Sequence, residues 1–203
     1  MEKAGTVVVL GGGPSLTPED VDFCRGKARV IAVKESVRLA PWADVLYFCD
    51  WYWYEPNKAL IHQFPGQVAT IEDAPGEPGQ KLRLKKELPK LTVYRHDGLD
   101  GLCTAPDGLR TGNNSGFQAI NLAYHLGARL IVLLGIDMKA IKGRMHWFQR
   151  DHEYREELYQ ELMLPKFPTI AAPLAAAGVR VVNASPDSLV DCFERLTLRE
   201  ALA

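Results

Sequence analysis

Seven short aliphatic runs punctuate the chain: Thr6–Leu10, Arg29–Val33, Asp44–Cys49, Gln67–Ile71, Leu91–Tyr94, Arg129–Leu134 and Val179–Val182. Each is continuous rather than alternating, and each is bounded by Gly, Pro or Asp. A continuous run suits a strand buried on both faces, as in a parallel sheet covered by helices. Between the runs lie helical patterns over Pro18–Cys24, Glu55–Phe64, Gly116–Leu126, His152–Leu162, Phe167–Ala177 and Ser188–Leu196, with a turn near Glu35–Leu39. Alternation of this kind predicts an α/β fold. The expected form is a Rossmann-like, doubly wound, mostly parallel sheet with helices on both faces. No internal repeat interrupts the order, and residues 1–203 read as one nucleotide-binding α/β domain. One stretch departs from the rhythm. Residues 72–90, "EDAPGEPGQKLRLKKELPK", are rich in Pro and Gly and then basic at Lys81, Arg83, Lys85 and Lys86. They read either as a solvated insertion or as a lid carrying positive charge to a phosphate or acidic partner.

In a doubly wound sheet, ligands sit beyond the carboxyl ends of the strands, so those ends are where chemistry is sought. The first run feeds Gly11-Gly12-Gly13-Pro14-Ser15. Glycines there allow a sharp turn and let a ligand approach amide groups that a Cβ would shield. Thr17 is the expected cap of the helix after this turn, with Pro18 at its first position. A phosphate or a nucleotide sugar is the natural occupant. A dinucleotide fingerprint asks for glycine at the first, third and sixth positions of the loop. Gly11 and Gly13 satisfy it and Leu16 breaks it, which weakens the case for NAD, and no Gly-Lys-Ser/Thr comes after to make a P-loop. Glu35 lies about where a ribose-binding acid would sit.

The third run ends in Asp50-Trp51-Tyr52-Trp53-Tyr54. Four consecutive aromatics cannot all face a core, so some are expected to line a groove where a base or sugar can stack, or to pack over an Asp that caps the next helix. In "RTGNNSGFQAINLAYHLGA", Ser115 and Gln118 read as a capping box and Gly127 as the helix stop. That leaves Asn113 and Asn114 as ligand contacts. Gly135 and Asp137 end the sixth run and suggest ribose or metal contact. In "HWFQRDH", His146, Arg150, Asp151 and His152 crowd together. Histidine is suited to taking a proton near neutral pH and arginine to phosphate, and a metal held by both histidines and Asp137 is the competing reading. Ser185-Pro186-Asp187-Ser188 reads as a helix start.

Composition narrows the field further. The chain has 203 residues, a formal net charge of -1 and 47% hydrophobic residues, which gives no global pull toward nucleic acid or an acidic membrane surface. Cys24, Cys49, Cys103 and Cys192 are scattered without CxxC or zinc-type spacing, so free thiols in a reducing cytoplasm are expected. The start "MEKAGT" carries no apolar leader, and no apolar stretch is long enough to span a bilayer.

Taken in order, "GGGPSL", "NSGFQAINLAYHLGARLIVLLGIDM", "HWFQRDH" and "VVNASPDSLVDCF" resemble the motifs of bacterial sialyltransferases of the CMP-sugar-using GT-42 family. Those are a GNGPSL-like loop, a T-S-G helix start, a G-I-D strand end, an H-Y-x-G-H stretch and a C-P-N-S-L-like segment. The chain is also similar to the related MptE-like domains, some of which transfer pyrophosphate to a hydroxymethylpterin, and to small phage and prophage proteins with the same motifs. The sialyltransferase resemblance implies a glycosyltransferase-like enzyme that needs no cofactor. By this resemblance Gly11, Gly13 and Ser15 would contact the nucleotide, and Gly12, Asp50, Asn113 and Asn114 are the further nucleotide-binding candidates that the residues themselves offer. Ser115, Gly116, Gly135 and Asp137 would line its sugar and phosphate. His152 would be the general base for an acceptor hydroxyl, with His146 or Arg150 helping the leaving phosphate. The MptE-like resemblance implies ATP and a divalent metal such as Mg2+, with Asp50 and Asp137 as ligands. A nucleotide-binding module acting through a protein partner, and a homo-oligomer, remain open. The chain departs from the sialyltransferase pattern in four places. Gly12 replaces the loop Asn, Asp50 stands where an Asn is expected, the His–His spacing is one residue longer, and Arg110 is the nearest counterpart to the arginine ahead of T-S-G.

Overall fold

The computed structural model describes residues 5–72, 80–148 and 155–203, with side chains from 84 onward in the second stretch. Strand β1 (Thr6–Leu10) lies between β2 (Arg29–Val33) and β7 (Leu130–Leu134), parallel to both. Outward from β2 come β3 (Val45–Phe48), β4 (Gln67–Ile71), β5 (Leu91–His96) and β6 (Gly108–Leu109). Beyond β7 come β8 (Arg180–Asn183) and β9 (Glu194–Arg195). The order is β6-β5-β4-β3-β2-β1-β7-β8-β9, with every ladder parallel. The α/β Rossmann-like architecture expected from the alternation is therefore present. Chain order reverses between β1 and β7, which makes their carboxyl ends the topological switch point.

The continuous aliphatic runs fill both faces of this sheet. Val7, Val9, Ile31, Val33 and Tyr47 pack with Phe117, Ile120, Phe167 and Ile170 on one side. Val8, Leu10, Val30, Leu46 and Phe48 pack with Val21, Tyr54, Ile61 and Leu84 on the other. Neighbours along one strand thus serve opposite layers, which is why the runs are apolar at nearly every interior position. Helix α4 (Ser115–His125) and α6 (Phe167–Ala176) cover the first face, and α1 (Pro18–Cys24), α2 (Trp51–Gln63) and α3 (Gln80–Glu87) the second. Helix α1 starts as its sequence predicts, with the Thr17 hydroxyl accepting from Asp20 N and Pro18 in the first turn. Within 72–90, residues 73–79 lie outside the described residues. Helix α3 carries buried Leu84 and exposed Lys85 and Lys86, with buried Leu88 just past its end, as it connects β4 to β5.

Three expected helices differ. Helix α2 begins at Trp51, four residues earlier than the pattern suggests, and keeps Pro56 inside it. The start of the His152–Leu162 helix lies outside the described residues. From Glu156 the chain forms the short helix α5 (Glu156–Leu158), a π-turn over Tyr159–Met163 and a 3-10 turn before α6. Ser188–Leu196 is not a helix. Side chains capture the backbone groups that a helix would use: Asn183 Nδ2 and Arg195 Nη2 donate to Val190 O, Arg195 also donates to Ser188 O, and Val190 N donates to the Ser188 hydroxyl. A short helix, α7 (Leu198–Ala201), comes next, started by the Thr197–Glu200 capping box. No helix among the described residues is long and apolar enough to cross a membrane, and all four cysteines are free.

Candidate functional site

The glycine turn after β1 is pressed against the end of β7. Gly11 N donates to Leu134 O and Gly13 N to Gly135 O, both at 2.7 Å. A Cβ on Gly13 would sit 2.7 Å from the Gly135 carbonyl oxygen and 2.8 Å from Asp137 Cγ. A Cβ on Gly11 would likewise collide with Gly135 and Ile136. Gly135 itself holds a left-handed backbone, φ +64, with Leu16 packed where a side chain would go. The bareness of this turn is thus first a requirement of the β1–β7 seam. Gly12 differs: its Cβ would point toward the rings of His146 and Phe148, at 3.3 and 3.2 Å.

Asp137 is 1% exposed, and its carboxylate accepts from Ser15 N at 2.9 Å and from the Ser15 hydroxyl at 2.6 Å. Burial pushes this carboxyl above the ordinary aspartate value, and the Ser15 hydrogen bonds pull it part of the way back. The next residues of β7 are tied from a distance. Ile136 N donates to the Ser185 hydroxyl at 3.1 Å, and Ser188 Oγ donates to Ile136 O at 2.5 Å. Ser185 and Ser188 therefore fasten the end of β7 instead of starting a helix.

At α4 the cap is Asn114, not Ser115. Asn114 Oδ1 accepts from Gly116 N at 2.8 Å and Phe117 N at 3.1 Å. Asn113, with φ +53, turns the chain into that cap and is exposed. Gln118 does not reach back to complete a capping box; its Oε1 accepts from the buried Tyr47 hydroxyl at 2.9 Å. Ser115 Oγ lies 3.0 Å from Cys49 Sγ. Asp50 occupies the cap position of α2 without a side-chain cap bond, because its carboxylate accepts instead from Lys34 Nζ at 2.5 Å. The aromatic run divides as helix geometry requires: Tyr54 is buried against Phe48, Trp51 is half-buried, Trp53 Nε1 donates to Glu35 Oε1 at 3.3 Å, and Tyr52 is 93% exposed.

His146 closes the far wall. One ring nitrogen, Nδ1, lies 3.1 Å from Gly12 O, and the other, Nε2, lies 3.1 Å from the Tyr159 hydroxyl. A carbonyl only accepts, so Nδ1 carries the proton and Nε2 accepts from Tyr159. Burial drives the imidazole down to about 4 against the raising effect of the Gly12 carbonyl, with the Lys34 charge lowering it further. His146 is therefore uncharged at neutral pH and brings no positive charge to a leaving phosphate.

These groups enclose one cleft of about 600 Å³ at the switch point. It gathers Gly11, Gly12, Gly13, Asp50, Asn113, Asn114, Ser115, Gly116, Gly135, Asp137 and His146 from separate stretches of sequence. Ser15 stands behind it, holding Asp137. Arg150 and His152 lie outside the described residues. Arg110 is not among the cleft residues and pairs with Asp97 at 3.6 Å. Glu35, given a ribose role by its position, lines the cleft but is ion-paired to Arg38. Lys34, Arg38, Tyr159 and Phe148 also line the cleft, and none of them stands out in the sequence as a site residue. Only the place of Lys34 directly after the second aliphatic run could have drawn notice. Among the described residues no group of three or more His, Cys, Asp or Glu side chains gathers as a metal site. Asp50 and Asp137 are engaged with Lys34 and Ser15.

No family model and no curated protein matches the chain. Among solved structures it is similar to the sialyltransferase CstII from Campylobacter jejuni, determined in complex with a substrate analogue, cytidine-5'-monophosphate. The TM-score is 0.61 at 15% identity, over 97% of this chain and 86% of that one. Likeness at that identity shows a shared fold.

Proposed function

We propose that the chain is a nucleotide-sugar-dependent transferase of the glycosyltransferase kind, acting on a CMP-linked or other pyrimidine-linked donor. The observation that carries this reading is the cleft itself. It is concave, opens at the switch point, and is walled by a bare glycine turn, the capped start of α4 and an aromatic edge. A pocket of about 600 Å³ is of the size that holds a nucleotide-sized ligand. The likeness to a fold that binds cytidine-5'-monophosphate in CstII supports a cytidine nucleotide as the ligand to try first.

In this reading His152 takes the proton of an acceptor hydroxyl as that oxygen bonds to the anomeric carbon. The bond from carbon to phosphate oxygen breaks, and its electron pair leaves with the nucleotide. His146, uncharged, holds Gly12 and Tyr159 in place, and Arg150 would supply the positive charge that helps the phosphate leave. Calorimetry with CMP, UMP, ATP and NAD, each with and without Mg2+, tests the donor class. CMP at a hundred times its dissociation constant should stabilise the fold by roughly 2.7 kcal/mol. Stabilisation by ATP only with Mg2+ would favour pyrophosphate transfer, and equal or stronger stabilisation by NAD would refute the proposal. With a donor and acceptor in hand, His152→Ala should lower turnover about 10²–10⁴-fold with nucleotide affinity kept.

A further inference from the structure

Lys34 leaves β2 with φ +51, a left-handed conformation that a lysine holds only where its surroundings fix it. The turn delivers its ammonium into the cleft, across to Asp50 at the end of β3. Burial opposes the charge, but Cys49, the Asp50 carboxylate with its hydrogen bond, and Tyr159 outweigh that and hold Lys34 above the ordinary lysine range. The ammonium is charged at every pH at which the protein would work.

Two cations line the cleft among the described residues, and their commitments differ. Arg38 is paired with the Glu35 carboxylate, whose side chain is 9% exposed, and also donates to Asn57 Oδ1 at 2.6 Å. Freeing Arg38 would strand a buried carboxylate, which is costly. Lys34 faces a carboxylate that is 47% exposed and makes no cap bond to α2. Because that carboxylate is partly open to water, Lys34 can leave it for an incoming anion without stranding a buried charge.

We infer that Lys34 is the phosphate-binding group of the cleft and that Asp50 is its exchangeable counter-ion, displaced when an anionic ligand enters. The identity of that ligand as a nucleotide rests on the function proposed above; the anion site does not.

The test uses the full chain and three probes: inorganic pyrophosphate, CMP and cytidine. Melting temperature and calorimetric affinity are read for the parent, Lys34→Gln, Lys34→Arg and Asp50→Asn. Pyrophosphate should raise the melting temperature of the parent, raise it further in Asp50→Asn, and leave Lys34→Gln unmoved. CMP should bind Lys34→Gln about 10–100-fold more weakly, the worth of one charge-assisted hydrogen bond, while cytidine affinity stays within about two-fold. Lys34→Arg should keep most of the response. Equal CMP affinity in Lys34→Gln and the parent overturns the inference, as does a parallel loss of CMP and cytidine, which marks a structural lysine. Should Lys34→Gln fail to fold, Asp50→Asn decides: tighter pyrophosphate binding supports the counter-ion role, and unchanged or weaker binding overturns it. A parent that binds neither CMP nor cytidine, yet responds to pyrophosphate through Lys34, rejects the nucleotide reading and keeps the anion site. A parent that responds to none of the three rejects both.

Discussion

Replacing Gly13 by alanine should damage the fold before it touches any ligand. The added methyl would lie 2.7 Å from the Gly135 carbonyl oxygen and 2.8 Å from Asp137 Cγ, well inside contact distance. Asp137 cannot retreat freely, since both its oxygens are held by Ser15 and the side chain is 1% exposed. Either the β1–β7 seam spreads, an overpacking cost of about 1–3 kcal/mol, or Asp137 swings away and forfeits a charge-assisted bond worth about 1.5–3 kcal/mol. Whichever gives way, the cost is about 1–3 kcal/mol. At about 2–4 °C of melting temperature per kcal/mol for a domain of this size, the loss should lie in the range of roughly 2–12 °C. Gly12→Ala is the matched control, because its methyl meets only the edges of His146 and Phe148, at 3.3 and 3.2 Å. Those rings can shift by a few tenths of an ångström, so it should cost less than about 1 kcal/mol while narrowing the cleft. Denaturant and thermal melts of the two variants, with CMP calorimetry on each, make the comparison. A folded Gly13→Ala within 2 °C (about 1 kcal/mol or less) of the parent, or a Gly12→Ala that is the less stable of the two, refutes the seam explanation.

Three further outcomes are expected. His146, lowered to about 4 mainly by burial, resists protonation in the fold. Below the ordinary histidine value the unfolded chain gains a proton that the folded one does not, so stability should fall by up to roughly 3 kcal/mol as pH drops from about 6.5 to 4. Denaturation of the parent and His146→Gln across that range should show this fall in the parent and its loss in the variant, leaving only the contributions of other groups. Asp137, raised by burial, works the other way: its stabilising share is complete at acid pH and declines as pH climbs from the ordinary aspartate value through the raised one. Asp137→Asn should flatten that decline in the same series. Asn114→Ala removes the acceptor for two amide groups of α4 and should cost about 1–2 kcal/mol, with Asn114→Asp restoring most of it in denaturant melts.

The sheet was legible because a strand buried on both faces must be apolar along nearly all of its length, and the seven runs of the sequence supply that. Strands β6 and β9 have two residues each, and Glu194 and Arg195 are exposed, so neither leaves a hydrophobic trace. The Ser188–Leu196 error has a different cause. Ser185 and Ser188 carry the local marks of a helix start, but their hydroxyls are claimed by Ile136, some fifty residues earlier in the chain. A serine beside a strand end and a serine capping a helix look alike until the partner is known. The shift of the α4 cap from Ser115 to Asn114 has the same origin, since either side chain can cap and only the backbone at 114 (φ -146, ψ 128) decides. The early start of α2 was hidden by Pro56, which suits a first turn better than the second turn it occupies. Lys34 had only its place directly after the second aliphatic run to mark it, since nothing in a lysine foretells a left-handed turn.

The site was readable as a place but not as a division of labour. Glycine turns and strand-end acids are commonly read as ligand contacts, and here Gly11, Gly13, Gly135, Ser15 and Asp137 are spent on joining β1 to β7. That joint has a physical purpose. At a switch point the helices depart to opposite faces, leaving the two strand ends without a covering element between them. Ser15 on Asp137 ties that gap shut at its floor, while Ser185 and Ser188, just past β8, brace Ile136 from the other side. In the proposed reading, recognition falls to groups on the walls that the joint does not use: Lys34 and Asp50 on one side, Asn113 on another, and the exposed Tyr52 at the mouth. Changes to the floor should therefore be read in stability, and changes to the walls in ligand preference. Floor and wall substitutions of equal size thus distinguish what holds the cleft from what fills it.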